Sequence, residues 1–199
     1  DTKISQKELI GTLNTVIFCP EDLQLIKGTP SGRRRFLDME ISQTSATYYH
    51  QLMQYNRLLQ QRNAVLKEYR GKNTIPLEEW DLQLADMASF IVKKRLESLK
   101  KINLLIDLMN RKLTGGLENL TIGYEQPYMD NGSLEYTKEG FYERIKAALP
   151  QDRHRLSTSV GPHRDDLRFF SDAMDLKKFG SQGQQRTAVL SLKLSELEF

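Results

Sequence analysis

The feature that most constrains the fold of this 199-residue chain is a long helical repeat of apolar residues between positions 77 and 113. Its apolar positions recur at steps of three and four, which places them on one face of an α-helix; they are Leu77, Trp80, Leu84, Ala88, Val92, Leu96, Leu99, Ile102, Ile106, Met109 and Leu113. At about 1.5 Å per residue, such a helix is on the order of 55 Å long. Gly115 and Gly116 follow and end it, because glycine readily adopts the conformation that closes a helix.

A second repeat precedes the first and has a heptad spacing. Its members are Tyr48, Leu52, Tyr55, Leu59, Arg62, Leu66 and Tyr69, of which Arg62 alone is charged. Gly71, Asn73 and Pro76 mark a short loop between the two repeats. Short loops join antiparallel neighbours, so the two repeats predict a projecting hairpin of long helices with coiled-coil character.

Shorter apolar runs predict a small antiparallel sheet and one more helix. Pro150 is expected to stop the helix at 141–149, and the pair Asn131-Gly132 is a strong turn signal. The runs predicted as strands are 13–18, 120–124, 156–160, 166–170 and 174–176. The predicted fold class is therefore α+β, mostly α, with an antiparallel two-helix arm and a small antiparallel sheet.

Composition excludes several classes of protein. Charged residues make up 28% of the chain, the mean hydropathy is −0.55, and no apolar run is long enough to span a membrane. Cys19 is the only cysteine, so an internal disulfide is impossible, and its apolar neighbours predict a buried structural thiol. The net charge of +3 permits a nucleic-acid partner without requiring one.

The loop from Gly180 to Arg186 is the strongest candidate for a binding site. Its glycines allow the backbone to approach a ligand closely, and Ser181 occupies the N-cap position of the apolar helix that follows. A helix N-terminus with a serine hydroxyl can bind phosphate. The alternative is an ordinary capped helix.

The order of residues in this loop resembles the signature motif of ATP-binding cassette ATPases, Leu-Ser-Gly-Gly-Gln-Gln-Arg. Gly180 and Gln182 depart from that motif, and the other five positions match. The wider stretches 160–169 and 179–194, together with a distant match over 20–38, closely resemble the RecF family of bacterial recombination mediators. Between these ends the chain has only the general layout of that family.

The resemblance implies the helical lobe of a cassette ATPase of the chromosome-maintenance type. Its parts would be an inter-lobe segment at 1–30, the helical arm at 31–113, and strands with the signature loop and the start of the signature helix at 114–199. The whole protein would bind double-stranded DNA and single/double-strand junctions in an ATP-dependent way, with RecO and RecR as partners. Its roles would be recombinational repair of single-strand gaps, replication restart and the SOS response, in the bacterial cytoplasm.

The resemblance also implies that the signature acts on a nucleotide held by the other subunit of an ATP-dependent homodimer. Ser181 and Gly183 would contact the γ-phosphate, Gln184 would hold the loop or the sugar, and Arg186 would brace the helix. The implied site in full is Ser181, Gln182, Gly183, Gln184, Gln185 and Arg186.

A P-loop is missing from this sequence, because no Gly-x-x-x-x-Gly-Lys-Ser/Thr string occurs in it. We therefore expect the chain to be an internal piece of a longer protein, with no catalytic residue of its own. ATP and Mg²⁺ would bind the full-length protein, which would be an ATPase only as a dimer.

Two acidic groups have both a functional and a structural interpretation. Glu21 and Asp22 would either reach the nucleotide site from the inter-lobe loop or cap the helix that begins near Leu23.

The stretch 161–166 contains His163, Asp165 and Asp166, which are residue types that can bind a metal ion. Adjacent residues of an extended chain point to opposite faces, so a turn held by structural hydrogen bonds is favoured and no metal is expected.

Basic clusters attract DNA phosphates, and they also occur at Lys100-Lys101 and at Arg153 with Arg155. The six residues taken as candidates for DNA contacts are Arg33, Arg34, Arg35, Lys93, Lys94 and Arg95. On a long exposed helix, lysines are usually only the solvated face. One arginine of the triplet would alternatively pair with Asp38 or Glu40 inside the fold.

Two other classes of protein stay open at this point. One is a chromosome-maintenance or double-strand-break ATPase, which needs a much longer coiled coil. The other is a non-enzymatic helical adaptor with an accidental resemblance to the signature. Neither is a membrane protein.

Overall fold

A computed structural model describes residues 19–72, 74–128 and 136–196 of the chain. Two 3₁₀ turns, Pro20–Leu23 and Pro162–Arg164, accompany the longer elements. The helices are α1 (Gln24–Lys27), α2 (Pro30–Thr44), α3 (Ala46–Glu68), α4 (Glu78–Thr114), α5 (Lys138–Ala147), α6 (Leu149–Arg155) and α7 (Gln182–Ser195). The strands are β1 (Leu120–Glu125), β2 (Asp166–Ser171) and β3 (Met174–Asp175).

The predicted fold class is confirmed. The two long apolar repeats form α3 and α4, and the three strands pair antiparallel in the order β1-β2-β3. Gly115 and Gly116 have φ angles of 67° and 82° and end α4, as their sequence indicates. The predicted strand at 13–18 and the turn at Asn131-Gly132 lie outside the described residues.

Contacts divide the chain into two compact units. Unit 1 consists of the described parts of Asp1–Ala46, Arg95–Glu125 and Asp166–Phe199, and unit 2 of those of Thr47–Lys94 and Gln126–Asp165. The division falls within α4, so the predicted arm at 31–113 contributes to both units. The segments 1–30, 31–113 and 114–199 stay a prediction about the lobes of a longer protein.

The core of unit 1 takes its buried apolar side chains from α2, the second half of α4, the sheet and α7. Leu120 and Ile122 of β1 alternate with exposed or half-buried neighbours, as do Leu167 and Phe169 of β2. On α4, Asn103 binds the backbone of β1: its Nδ2 donates to Ile122 O at 3.0 Å and its Oδ1 accepts from Ile122 N at 2.7 Å. One amide side chain thus satisfies the backbone groups of an edge strand, which positions α4 on the sheet.

Unit 2 has a buried ionic cluster at its centre. Arg62 of α3 is fully buried, and its guanidinium donates to Asp81 of α4 at 2.6 Å and to Asp152 of α6 at 2.7 Å. Arg62 also donates to Thr158 Oγ1 at 2.9 Å. The charged member of the heptad repeat is therefore paired rather than exposed.

Two predicted details are wrong. Residues 156–160 are not a strand: Leu156 has a φ of 53° and closes α6, and the backbone N–H groups of Thr158 and Ser159 donate to the side chains of Asn63 and Asp152 instead of to a ladder. Pro150 does not end the helical segment either. It stands in the first turn of α6, where proline is well tolerated because that turn needs no N–H donor.

None of the described helices combines the length and apolar character that crossing a membrane requires.

Candidate functional site

The candidate loop from Gly180 to Arg186 consists of the two residues before α7 and the first five residues of that helix, within unit 1. Gly180 packs against the preceding turn so closely that a Cβ at this position would lie 2.6 Å from Leu176 O. Ser181 is the N-cap of α7, with extended backbone angles of −63° and 160°. Glycine at 180 is therefore required by packing, and it fixes the direction in which Ser181 enters the helix.

A capping box closes the loop on itself. Ser181 Oγ accepts from Gln184 N at 3.2 Å, and Gln184 Oε1 accepts from Ser181 N at 3.0 Å. The other end of the Gln184 amide donates to Glu118 Oε1 at 2.9 Å, and Glu118 Oε2 accepts from Ser171 Oγ at 2.8 Å. Gln184 thus connects the helix start to the sheet and holds the loop in one conformation.

The exposed side of the loop has the chemistry of an anion site. Ser181, Gln182 and Gly183 are exposed. Apart from the adjacent residues and the backbone of α7, the described residues approach the Cβ position of Gly183 within 4 Å only through Ser181 Oγ, at 3.8 Å. The first N–H groups of a helix have no partner within it and carry partial positive charge. Ser181 Oγ serves the helix as an acceptor, so its proton stays available for donation outward.

The last residues of the motif differ in exposure. Gln185 is buried, and its Nε2 donates to Leu176 O at 2.7 Å, so it supports the loop from beneath. Arg186 is exposed, and its side chain forms no hydrogen bond or ion pair within the described part of the chain. Phe179, directly before the loop, exposes 71% of its surface. The motif therefore presents a serine, a glycine, an arginine and an aromatic ring to its surroundings.

The structure shows the capping interaction at Asp22. Asp22 Oδ2 accepts from the N–H of Cys19 at 2.8 Å across the turn Pro20–Leu23, while Glu21 is exposed. Cys19 is half-buried, and burial is the main cause that raises the pKa of its thiol. The reach of Glu21 or Asp22 to a nucleotide stays a prediction.

Burial removes two of the six predicted DNA contacts. Arg33 is 3% exposed and forms a bidentate pair with Asp166 at 2.7 and 2.9 Å, not with the predicted Asp38 or Glu40. Arg95 is 2% exposed and pairs in the same way with Asp38 at 2.9 Å.

The other four basic candidates are more accessible. Arg35 and Lys93 are exposed, and Arg34 and Lys94 are half-buried. These four therefore stay candidates for phosphate contacts.

The stretch 161–166 is a turn with structural hydrogen bonds, as favoured from the sequence. Within unit 2, His163 Nδ1 lies 2.6 Å from Tyr55 Oη and its Nε2 lies 3.0 Å from Thr158 O. Within unit 1, Asp166 binds Arg33. The described residues include no group of three His, Cys, Asp or Glu side chains arranged to hold a metal ion.

Sequence reasoning missed an acidic pair at the far end of α7. Burial, then repulsion from Glu196, raises the pKa of Glu40 to about 7. Burial is also the main cause that raises the pKa of Glu196, although Lys193 lies 2.9 Å from its carboxylate and opposes the rise. Glu40 and Glu196 are separated by most of the chain, so no local pattern could have paired them.

The chain matches no protein-family model. It is 47% identical over 197 residues to the DNA replication and repair protein RecF of Alkaliphilus oremlandii, covering 98% of this chain and 54% of that protein. To the protein of the same name from Halothermothrix orenii it is 45% identical over 198 residues, covering 96% and 53%.

Two solved structures are similar to it in fold. One is described as the recombination mediator protein RecF-ATPrS in the RecFOR pathway, with a TM-score of 0.90, 37% identity and coverage of 98% of this chain and 53% of that one. The other, RecF-ATP in the same pathway, has a TM-score of 0.88 and 37% identity, covering 96% and 52%. The chain thus spans about half the length of the curated relatives it matches.

Proposed function

Since this chain belongs to the RecF family and spans about half of such a protein, we propose that its parent binds DNA in an ATP-dependent way, with the loop 180–186 completing an ATP site on a second copy. The parent acts in DNA repair and replication, in gap repair and replication restart, with RecO and RecR. Its ATP is accompanied by Mg²⁺, and its place is the bacterial cytoplasm.

The rigid, outward-facing signature loop is the observation that carries this proposal. Gln184 is held by the capping box and by Glu118, so Ser181 is positioned before any ligand arrives. Pre-positioned donors favour ligand binding because they lose little conformational entropy when they bind. The solved relatives described with ATP and ATPrS support the identity of the ligand.

The exposed ring of Phe179 supports action across an interface. Phe179 is 71% exposed directly before the loop, where a second copy that closes on the motif would cover its ring. Arg186, exposed on the first turn of α7, adds a cation to the same surface. In an interface with a second copy, the Arg186 cation would face phosphate and the Phe179 ring would pack against protein.

The test uses the full-length protein and two serine substitutions. Ser181→Arg fills the phosphate position, so we expect it to abolish ATP-driven dimerisation in sedimentation while the monomer still binds ATP. Ser31→Arg is the matched control, because Ser31 is another exposed serine in the first turn of a helix of unit 1. An ATP-driven dimer of unchanged stability in Ser181→Arg would refute the assignment of the signature.

A further inference from the structure

Unit 2 contains a large cleft lined by three arginines, Arg144, Arg155 and Arg164. The cleft has a volume of about 800 Å³ and lies between α5, α6 and the segments that flank them. This volume falls in the range of roughly 300–1,000 Å³ that is usual for pockets enclosing a small organic ligand. A nucleotide-sized group therefore fits.

These three arginines differ in their partners from the buried arginines of the fold. Arg33, Arg62 and Arg95 are all buried against aspartates. By contrast, within residues 19–72, 74–128 and 136–196, none of the cleft arginines forms an ion pair with a carboxylate. Glu143 is the one acidic residue of the lining, so the cleft has an excess of positive charge.

Neutral oxygen atoms hold the three guanidinium groups in place. Arg144 NH1 donates to Tyr128 O at 3.0 Å, and Arg164 donates through Nε and NH2 to Thr158 O at 3.0 and 2.7 Å. Arg155 donates to the amide oxygen of Gln151 at 3.2 and 3.1 Å once that amide is oriented to accept. A guanidinium has five N–H donors, so each retains donors after these bonds.

Tyr128 adds an aromatic wall to the same cleft. Its ring lies 6.5 Å from that of the buried Phe141, which supports it from behind. Arginines beside an aromatic ring are the combination by which proteins hold single-stranded nucleic acid, with cations on the phosphates and rings on the bases. An acidic peptide would use the arginines but has no planar base for the ring.

We propose that this cleft binds single-stranded DNA, with Arg144, Arg155 and Arg164 on its phosphates and Tyr128 against a base. The proposal rests on the DNA-binding function above and gives that function a site outside the six candidate residues chosen from the sequence. Arg155 is the residue whose substitution should change binding without changing the fold, because it is exposed and, among the described residues, its side chain bonds to Gln151 alone.

The test measures the affinity of the full-length protein for a fluorescein-labelled oligothymidylate by anisotropy, from about 50 to about 200 mM salt. Arg155→Gln should weaken binding about 5- to 20-fold at the low-salt end, as the loss of one charge-assisted contact predicts. It should also reduce the slope of log K against log salt by about 0.7, the contribution of one phosphate contact on a single strand. Arg155→Lys keeps the charge and should keep the slope.

Arg57→Gln is the matched control, because Arg57 is an exposed arginine of unit 2 outside the cleft. It should leave both affinity and slope unchanged, and thermal unfolding should be the same in all three variants. Equal DNA affinity and slope in Arg155→Gln and wild type would overturn the proposal. The proposal would also be overturned if wild type bound a polyglutamate probe and Arg155→Gln lost that binding while its DNA binding stayed intact, since the ligand of the cleft would then be an acidic protein segment.

Failure of this inference is distinguishable from failure of the signature assignment. Arg155→Gln should retain ATP-driven dimerisation, which Ser181→Arg should lose. If Ser181→Arg loses dimerisation while Arg155→Gln binds DNA like wild type, the cleft is wrong and the signature stands.

Discussion

Replacing Arg62 by methionine should destabilise the chain more than any surface change, because it leaves two carboxylates buried without their cation. Arg62 is fully buried, Asp152 has no exposed side-chain surface, and Asp81 has 8%. Removing one partner of a buried pair costs about 3–5 kcal/mol. For a chain of this size each kcal/mol lowers the midpoint of thermal unfolding by about 2–4 °C, so the expected decrease is about 6–20 °C.

The pH dependence of that loss distinguishes charge from packing. Burial raises the pKa of Asp81 above its usual value of 3.8, and hydrogen bonding to Arg62 opposes the rise. An acid whose pKa is higher in the folded than in the unfolded protein destabilises the fold once the pH rises past the pKa of the unfolded state. Without Arg62 the pKa of Asp81 rises further, so Arg62→Met should lose more stability at pH 8 than at pH 5.

The assay is thermal unfolding followed by circular dichroism at both pH values. Arg57→Met is the matched control, since Arg57 is exposed on the same helix, and it should change stability by less than about 0.5 kcal/mol. Adding Asp81→Asn to Arg62→Met should recover part of the loss by removing one uncompensated charge. A decrease no larger than that of the control, or one independent of pH, would refute the reasoning.

Three further outcomes follow from the structure. Glu40→Gln should stabilise the chain by about 1–2 kcal/mol at pH 8, after allowance for the partial exposure of Glu40, and should have no effect at pH 4.5. The reason is that a pKa of about 7 in the folded protein makes ionised Glu40 unfavourable as the pH rises from 4.5 through 7. Denaturant titrations at both pH values check this. Gln184→Ala should lower the free energy of unfolding by about 0.5–1.5 kcal/mol in the same titration, since the capping box and the bond to Glu118 are lost together. An unchanged midpoint would show that Gln184 does not hold the loop. The 199-residue chain alone should neither hydrolyse ATP nor bind it tightly, and calorimetry giving micromolar affinity at one-to-one stoichiometry would contradict that.

Periodic patterns predicted the long elements well, because a long helix with one apolar face must bury that face against other elements. The repeats ending at Tyr69 and Leu113 became α3 and α4, and the apolar alternation at 120–124 and 166–170 became β1 and β2. Local signals failed where two interpretations compete for the same residues. Proline ends one helix and begins another equally well, and residues 156–160 use side-chain acceptors in place of a strand partner.

Long-range pairing was beyond the reach of sequence patterns. Arg33 binds a carboxylate 133 positions away, so the arginine triplet gave no sign of which member is buried. The candidate loop was identified by its motif, yet the tether through Glu118 depends on a contact 66 positions away. The cleft arginines are dispersed over Arg144, Arg155 and Arg164 and become a group only in the folded unit.

The measurement that tests the central claim most directly is ATP hydrolysis by a mixture of two inactive full-length variants. One variant has a disabled P-loop and an intact signature, and the other has Ser181→Arg and an intact P-loop. If Ser181 acts on a nucleotide held by the other copy, the mixed dimer contains one complete site, and hydrolysis should return on mixing. Two variants that remain inactive when mixed, while still forming the mixed dimer, would contradict action across the interface.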